Sequence, residues 1–304
     1  MVIGGVQIKR SFYFPKFASE TLLIMNIKIG FSPCPNDTFM FNALVNGKLN
    51  TQGFEFTPVI ADVEALNKMA LNGELDVTKL SLNAFAFAAQ HYQILNAGCA
   101  LGYNCGPLLV SKNKFTVDDI AHLKIAIPGK YTTANLLLTI FYPEARNTIE
   151  MIFSDIENAV LTGNADAGLL IHENRFTYEQ QGLYKILDLG EEWYMQTHKP
   201  LPLGCIAVKQ SLHSEVKLTI DKLISQSVNY AFENKNQTMP YVKQHAQEMD
   251  EQVMMQHINL YVTNASVIMG DDGKATIEYL LQKGFEAKLL PQVNNIFLQN
   301  KVTV

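Results

Sequence analysis

One stretch constrains this chain more than any other: Ala165-Asp166-Ala167-Gly168-Leu169-Leu170-Ile171-His172-Glu173-Asn174-Arg175-Phe176-Thr177-Tyr178. Residues 167–171 are apolar without alternation, the pattern of a short strand buried on both faces, as in a parallel sheet. The run stops on a histidine, an acid, an amide and an arginine. In open α/β sheets, ligands bind just beyond the carboxyl ends of strands. The pattern therefore sets His172 where a reactive side chain would stand, with Glu173 and Arg175 close enough to tune or orient it. The alternative is a strand end closed by a solvated polar loop.

The rest of the chain alternates strands and helices. A strand over 26–31 runs into Ser32-Pro33-Cys34-Pro35-Asn36-Asp37-Thr38. Its two prolines remove backbone donors and fix the turn. Asn36 or Asp37 is expected to cap a helix over 38–46, whose start, with the Ser32 hydroxyl, would attract an anion. A strand over 53–59 and a helix over 62–71, ended by Gly73, follow. The next strand, 75–80, carries Lys79, and Ser81 caps a helix over 83–90. Lys79 can balance an acidic ligand or pair with a structural carboxylate.

A strand over 107–112 leaves this first unit, and one over 124–128 reaches Gly129-Lys130-Tyr131-Thr132-Thr133-Ala134 before a helix over 135–141. A glycine turn with two threonines at a helix start can cradle a carboxylate or phosphate with N–H groups and hydroxyls. Plain capping is the alternative. Strands over 149–153 and 185–189 flank the His172 segment, with a helix over 155–161 before it. Residues 201–208 read as a return strand. Helices over 215–232, 238–245, 250–261 and 274–281 complete the chain. His91, His245 and His257 are expected at the surface or partly buried.

Such alternation implies an α/β fold of two domains, the first discontinuous (26–111 and 204–304), the second 112–203. The cleft between them is the default site for a small ligand. Residues 1–25 read as an N-terminal extension, with Met25 as the natural start. Across 304 residues, 48% are hydrophobic and 17% charged, which suits a well-packed globule. A net charge of −5 without a basic cluster argues against nucleic acid, and no apolar run reaches membrane-spanning length. Pro15, Lys16 and Glu20 interrupt any signal-peptide pattern, so a cytoplasmic protein is expected. Cys34, Cys99, Cys105 and Cys205 form no Cys-x-x-Cys pair, so no metal site is expected. Free thiols in a reducing compartment fit best, a Cys99–Cys105 bridge being the alternative.

Several motifs together resemble the 1,4-dihydroxy-6-naphthoate synthase family of the futalosine route to menaquinone. They are Ser32 to Phe39, Thr78-Lys79-Leu80-Ser81, Thr132-Thr133-Ala134, and Gly168 to Glu173 with Arg175 to Tyr178. The likeness runs from Asn26 to the late helices. It implies a fold like the type II periplasmic binding proteins, two domains around a cleft, used in the cytoplasm as a lyase. It implies conversion of cyclic dehypoxanthinyl futalosine to 1,4-dihydroxy-6-naphthoate, with loss of the sugar-derived fragment and no metal or organic cofactor. The family's catalytic base falls on His172, and its substrate contacts on Lys79, Leu80, Ser81, Thr133 and Ala134. Ser32, Asn36 and Asp37 join the pocket on the position of their motif alone. An imidazole near its ordinary pKa of ~6.5 can take and return a proton at cellular pH.

The expected partner is a small carboxylate, with no nucleic acid and no membrane. The oligomeric state stays open, a homodimer being one candidate. Two rivals remain at this point: chorismate dehydratase of the same pathway, and a non-catalytic solute-binding protein. A regulator's ligand-sensing domain is a third, without an appended DNA-binding segment.

Overall fold

The computed structural model describes residues 24–246 and 250–299. The extension assigned to residues 1–25 lies outside them, apart from its last two residues. The chain first lays down β1 (Met25–Phe31), α1 (Pro35–Val45), β2 (Phe54–Ile60), α2 (Val63–Leu71), β3 (Val77–Ser81), α3 (Leu82–Ala88), β4 (Tyr92–Ile94) and β5 (Ala100–Gly102). It then builds β6 (Leu108–Ser111), β7 (Ile125–Ile127), α4 (Thr133–Phe141), β8 (Thr148–Glu150), α5 (Ile156–Leu161), β9 (Ala167–Leu170), β10 (Tyr184–Asp188) and α6 (Leu189–Thr197). Finally come β11 (Leu201–Lys209), α7 (Ser214–Glu233), α8 (Lys235–His245), α9 (Glu251–Tyr261), α10 (Asn264–Val267) and α11 (Gly270–Glu286).

Two sheets result. The first has the order β2-β1-β3-β11-β4, with β5 also on β11; the second has the order β10-β6-β9-β7-β8. β1 runs parallel to β2 and β3, whereas β11 is antiparallel to β3, β4 and β5. The returning strand is thus inserted in the middle of the first sheet. Its pairing sets Gly204 opposite Ser81 and Cys205 opposite Leu80, so the carboxyl end of β3 is held by a segment far away in sequence. β11 begins at Leu201, inside the span assigned to the second domain.

β9 runs parallel to β7 and antiparallel to β6, so the sheet around it is mixed rather than wholly parallel. The absence of alternation still has the expected cause, because both faces are covered. Ala167 and Leu169 enter the core containing Phe85, Leu137 and Trp193. Leu170 enters the opposite core with Ile156 and Val160. A Cβ at Gly168 would overlap both of those side chains, so α5 lies directly on the strand. A third core joins β1 to α1, α7 and α9 through Ile27, Phe39, Ile224 and Ile258.

Several boundaries move. α1 starts at Pro35, with Cys34 at the cap position and no side-chain cap. Asn36 and Asp37 therefore sit in the first turn and do not cap it, because a proline at the first helical position needs no N–H partner. The strand expected over 149–153 is only Thr148–Glu150. β4, β5 and α6 carry no clear periodicity. Trp193 is core, and all four cysteines are buried and free. Among the described residues, no helix is long and apolar enough to cross a membrane.

Candidate active site

The carboxyl ends of β1, β3 and β9 face one cavity. All nine residues singled out from the sequence line it. The first sheet and its helices bring Ser32, Asn36, Asp37, Lys79, Leu80 and Ser81; the second half brings Thr133, Ala134 and His172. Strand ends gather them because Lys79, Leu80 and Ser81 end β3, His172 comes just after β9, and the other residues fill the turns and helix starts that follow β1 and β7.

The floor is a buried ion pair. Lys79 Nζ stands 3.3 Å from Asp37 Oδ1, and both residues are buried. Ser32 donates to Asp37 Oδ2 from its N–H at 3.1 Å and its hydroxyl at 2.7 Å, and Asn36 Nδ2 donates to Oδ1 at 3.0 Å. Lys79 therefore does pair with a carboxylate, and the Ser32 hydroxyl is spent on Asp37.

One wall is a seam of hydrogen bonds between the two halves. Thr133 Oγ1 accepts from Leu82 N–H at 3.0 Å and donates to the Leu203 carbonyl at 2.7 Å. Thr132 Oγ1 caps Asn135 N–H at 3.2 Å and donates to the Gly129 carbonyl. Asn83 Nδ2 donates to the carbonyls of Lys130 and Thr132, both at 3.1 Å. Tyr131 N–H donates to the Glu64 carboxylate at 3.2 Å. Gly129 sits at φ +142°, and a Cβ there would overlap Glu64, so glycine lets the halves meet. The threonine hydroxyls consequently do not face an anion. What this wall offers the cavity is the first-turn N–H groups of α4, which no intrahelical carbonyl takes.

The other wall carries His172. It follows β9 at φ +61°, a left-handed conformation uncommon for a residue with a Cβ. Its Nε2 is buried without a hydrogen-bond partner. The ring meets Phe153 edge-on at 4.8 Å and lies parallel to the His257 ring at 6.0 Å. Burial pushes its pKa down to about 4; Lys79 adds to this, while Asp37 and Asp62 oppose it. The ring is therefore neutral at neutral pH, and a weaker base than the free imidazole expected from the sequence.

Glu173 and Arg175 take other partners than the histidine beside them. Arg175 pairs with Asp188 at 3.0 Å and donates to the Gly106 carbonyl, while the Glu173 carboxyl lies 3.6 Å from His257 Nδ1. His257 itself overturns the expectation of a surface or partly buried residue. It is 1% exposed, lines the same cavity with Tyr261, and its Nε2 lies 3.1 Å from Asn36 Oδ1. The spacing of His257 and Tyr261 puts both on one helical face, the only trace of this in the sequence.

Cys34, His172 and Glu173 each bring a potential metal-ligand atom within 4.8 Å of the others. Burial, with Glu173 nearby, raises the Cys34 pKa well above its ordinary value. Without a cation beside it, this corner holds a thiol at neutral pH.

A sequence profile of a family described as menaquinone biosynthesis matches residues 27–286. The chain belongs to this family. It is 39% identical over 254 residues to a 1,4-dihydroxy-6-naphthoate synthase from Thermus thermophilus, covering 84% of this chain and 92% of that one. A Streptomyces coelicolor protein of the same name is 38% identical over 271 residues, covering 87% and 95%. A crystal structure of an Archaeoglobus fulgidus protein superposes with a TM-score of 0.83 at 34% identity, covering 89% of this chain and all of the other. The ligand-binding component of an ABC-type import system from Staphylococcus aureus superposes with a TM-score of 0.69 at 12% identity, covering 90% and 96%. That likeness shows the periplasmic-binding-protein-like fold. Family membership makes this chain an enzyme of menaquinone biosynthesis, so the reading as a non-catalytic binding protein falls.

Proposed function

We propose that the chain converts cyclic dehypoxanthinyl futalosine to 1,4-dihydroxy-6-naphthoate, with His172 removing the proton that starts the reaction. One observation carries the role of His172: a neutral imidazole with a buried, unpartnered Nε2 on the wall of the cavity. Such a nitrogen can accept a proton from bound substrate, and a positioned base of this kind contributes about 10²–10⁴ in rate. Loss of the proton expels the sugar-derived fragment, and the ring system becomes aromatic. The proton goes on to the departing fragment. Aromatisation drives the step.

The substrate carboxylate sits against the N–H groups of Thr133 and Ala134, with Lys79, Leu80 and Ser81 bordering the same space. Ser32, Asn36 and Asp37 act one step back, by fixing Lys79 and the floor. The seam at Thr133 and Glu64 keeps the halves shut and water out. The reaction belongs in the cytoplasm, with a small carboxylate as the partner.

The test is incubation of purified protein with cyclic dehypoxanthinyl futalosine, followed by its conversion to a product with the absorbance of the naphthoate. Chorismate, the substrate of the rival dehydratase, is the control. Turnover of chorismate with none of the futalosine derivative would overturn the proposal.

A further inference from the structure

We propose that Glu173 and His257 share one proton across the cleft and, as a clasp, position His172; the inference rests on the reading of His172 as the base.

The argument begins at Asp37, on which four donors converge: Ser32 N–H, Ser32 Oγ, Asn36 Nδ2 and Lys79 Nζ. Its oxygens only accept there, so Asn36 must turn its Nδ2 toward Asp37 and its Oδ1 toward His257. An amide oxygen is an acceptor, so the hydrogen of that 3.1 Å contact sits on His257 Nε2. The tautomer of His257 is thereby set from the far end of the chain of bonds. Its Nδ1 then faces Glu173 Oε2 at 3.6 Å. Two lone pairs set against each other would repel, so a proton belongs between nitrogen and carboxyl. Burial lowers the pKa of His257 well below its ordinary value, with His172, Arg175 and Lys79 adding to this; with the neutral ring's one hydrogen on Nε2, Nδ1 is left as the acceptor in the clasp.

Other titratable groups face this pair. They are Cys34 and Asp37 at the start of α1, Lys79 on β3, His172 and Arg175 in the turn after β9, and Tyr261 on α9.

The contact joins elements from the two halves. His257 is on α9, which packs on α1, while Glu173 immediately follows His172 in the 3₁₀ turn His172–Phe176. A residue held at φ +61° keeps that conformation only where its surroundings enforce it. The tether next door, anchored on α9 of the other half, supplies that constraint. Glu173 and His257 are positioning residues in this scheme, and the substrate proton goes to His172.

The test compares Glu173→Gln with Glu173→Ala. An amide can donate to His257 Nδ1 as the protonated carboxyl does, so Glu173→Gln should keep kcat within about threefold of the parent. Glu173→Ala should lose about 10- to 100-fold in kcat, the scale of a misplaced reacting group, with KM little changed. Equal loss in both variants, or parental kcat in Glu173→Ala, overturns the clasp. A second reading needs no turnover and so survives failure of the functional assignment. Nitrogen-15 NMR of the free protein should find His257 protonated at Nε2 and its Nδ1 resonance shifted by Glu173→Ala but not by Glu173→Gln. An Nε2 without a proton, or an Nδ1 indifferent to Glu173→Ala, overturns it as well.

Discussion

The two walls of the cavity are built on opposite principles. Around Thr133 and Glu64 the bonding is saturated: each side chain that crosses between the halves has found a partner. Around His172 the bonding is left incomplete, with a buried ring Nε2 that makes no hydrogen bond and a backbone in the left-handed region. Buried polar groups without partners are costly. A fold carries such a cost where the groups have work to do on something else. In the proposed reaction the saturated wall holds the halves in register and seats the carboxylate, and the unsaturated wall meets the proton that moves.

Removing the imidazole separates the two walls most sharply. Asparagine tolerates the left-handed region better than most residues, so His172→Asn keeps the backbone while deleting the proposed base. The expected loss in kcat is about 10²–10⁴-fold, with a melting temperature equal to or above the parent's, since a desolvated ring is gone. Steady-state kinetics and calorimetry read both. Parental turnover would show that the unsaturated wall is not the reactive one.

Acidification is the next largest probe, and the walls should respond with opposite sign. The pKa of His172 is lowered from 6.5 to about 4 by burial. Below pH 6.5 the unfolded chain takes up a proton that the folded one refuses. Stability is therefore complete above about pH 6.5 and falls as the pH drops toward 4, by at most about 3 kcal/mol. Glu64 is shifted upward, burial being the main cause; the folded state takes its proton first, and stability gains as pH falls through that raised value. Denaturant titrations of the parent and His172→Asn across pH 7 to 4 isolate the histidine's share. In turnover, kcat should hold through pH 6.5 and fail only toward pH 4. A limb near 6.5 would mean that the ring is solvated when it works.

How far the sequence reveals these walls follows from what holds each residue. His172 was legible because a run without alternation ended on it, and both-face burial of β9 is a local property of the sequence. Ser32, Asp37, Lys79 and Thr133 were legible as residues at strand ends, and strand ends converge in this fold class. The duties of their polar atoms were not. Thr133 bonds to Leu203 70 residues away, a partner that exists only because β11 inserts beside β3. The place of His257 is hidden from the sequence for the same reason. Its helix reaches the cavity through packing on α1, and a lone histidine in a helical stretch gives no sign of that. The left-handed backbone at His172 is likewise set by its surroundings.

Thr133→Val tests the saturated wall directly. Valine matches the shape of threonine but strands the Leu82 N–H and the Leu203 carbonyl. One buried group without a partner costs about 1–3 kcal/mol; with partial relaxation, roughly 2 kcal/mol of global stability should go. KM should rise more than kcat falls, because this wall holds ligand and halves together and does no chemistry. A variant as stable as the parent would mean that the seam is open in solution.

The smallest effect is expected at Glu64, and its sign is informative. The carboxylate accepts from Tyr131 N–H and from Asn67 Nδ2 at 3.1 Å, and both bonds reach Oε2. An amide oxygen at that position can accept both. Glu64→Gln therefore keeps the seam's hydrogen bonds while removing a buried charge whose raised pKa marks the cost of its burial. The variant should match or exceed the parent's stability at pH 7, by no more than about 1 kcal/mol, and the gain should vanish as the parent's carboxyl becomes protonated on acidification. Kinetic constants should stay near parental. If Glu64→Gln instead loses stability and raises KM, the seam works through charge as well as through bond saturation. The contrast between the walls would then lie in which charges each tolerates.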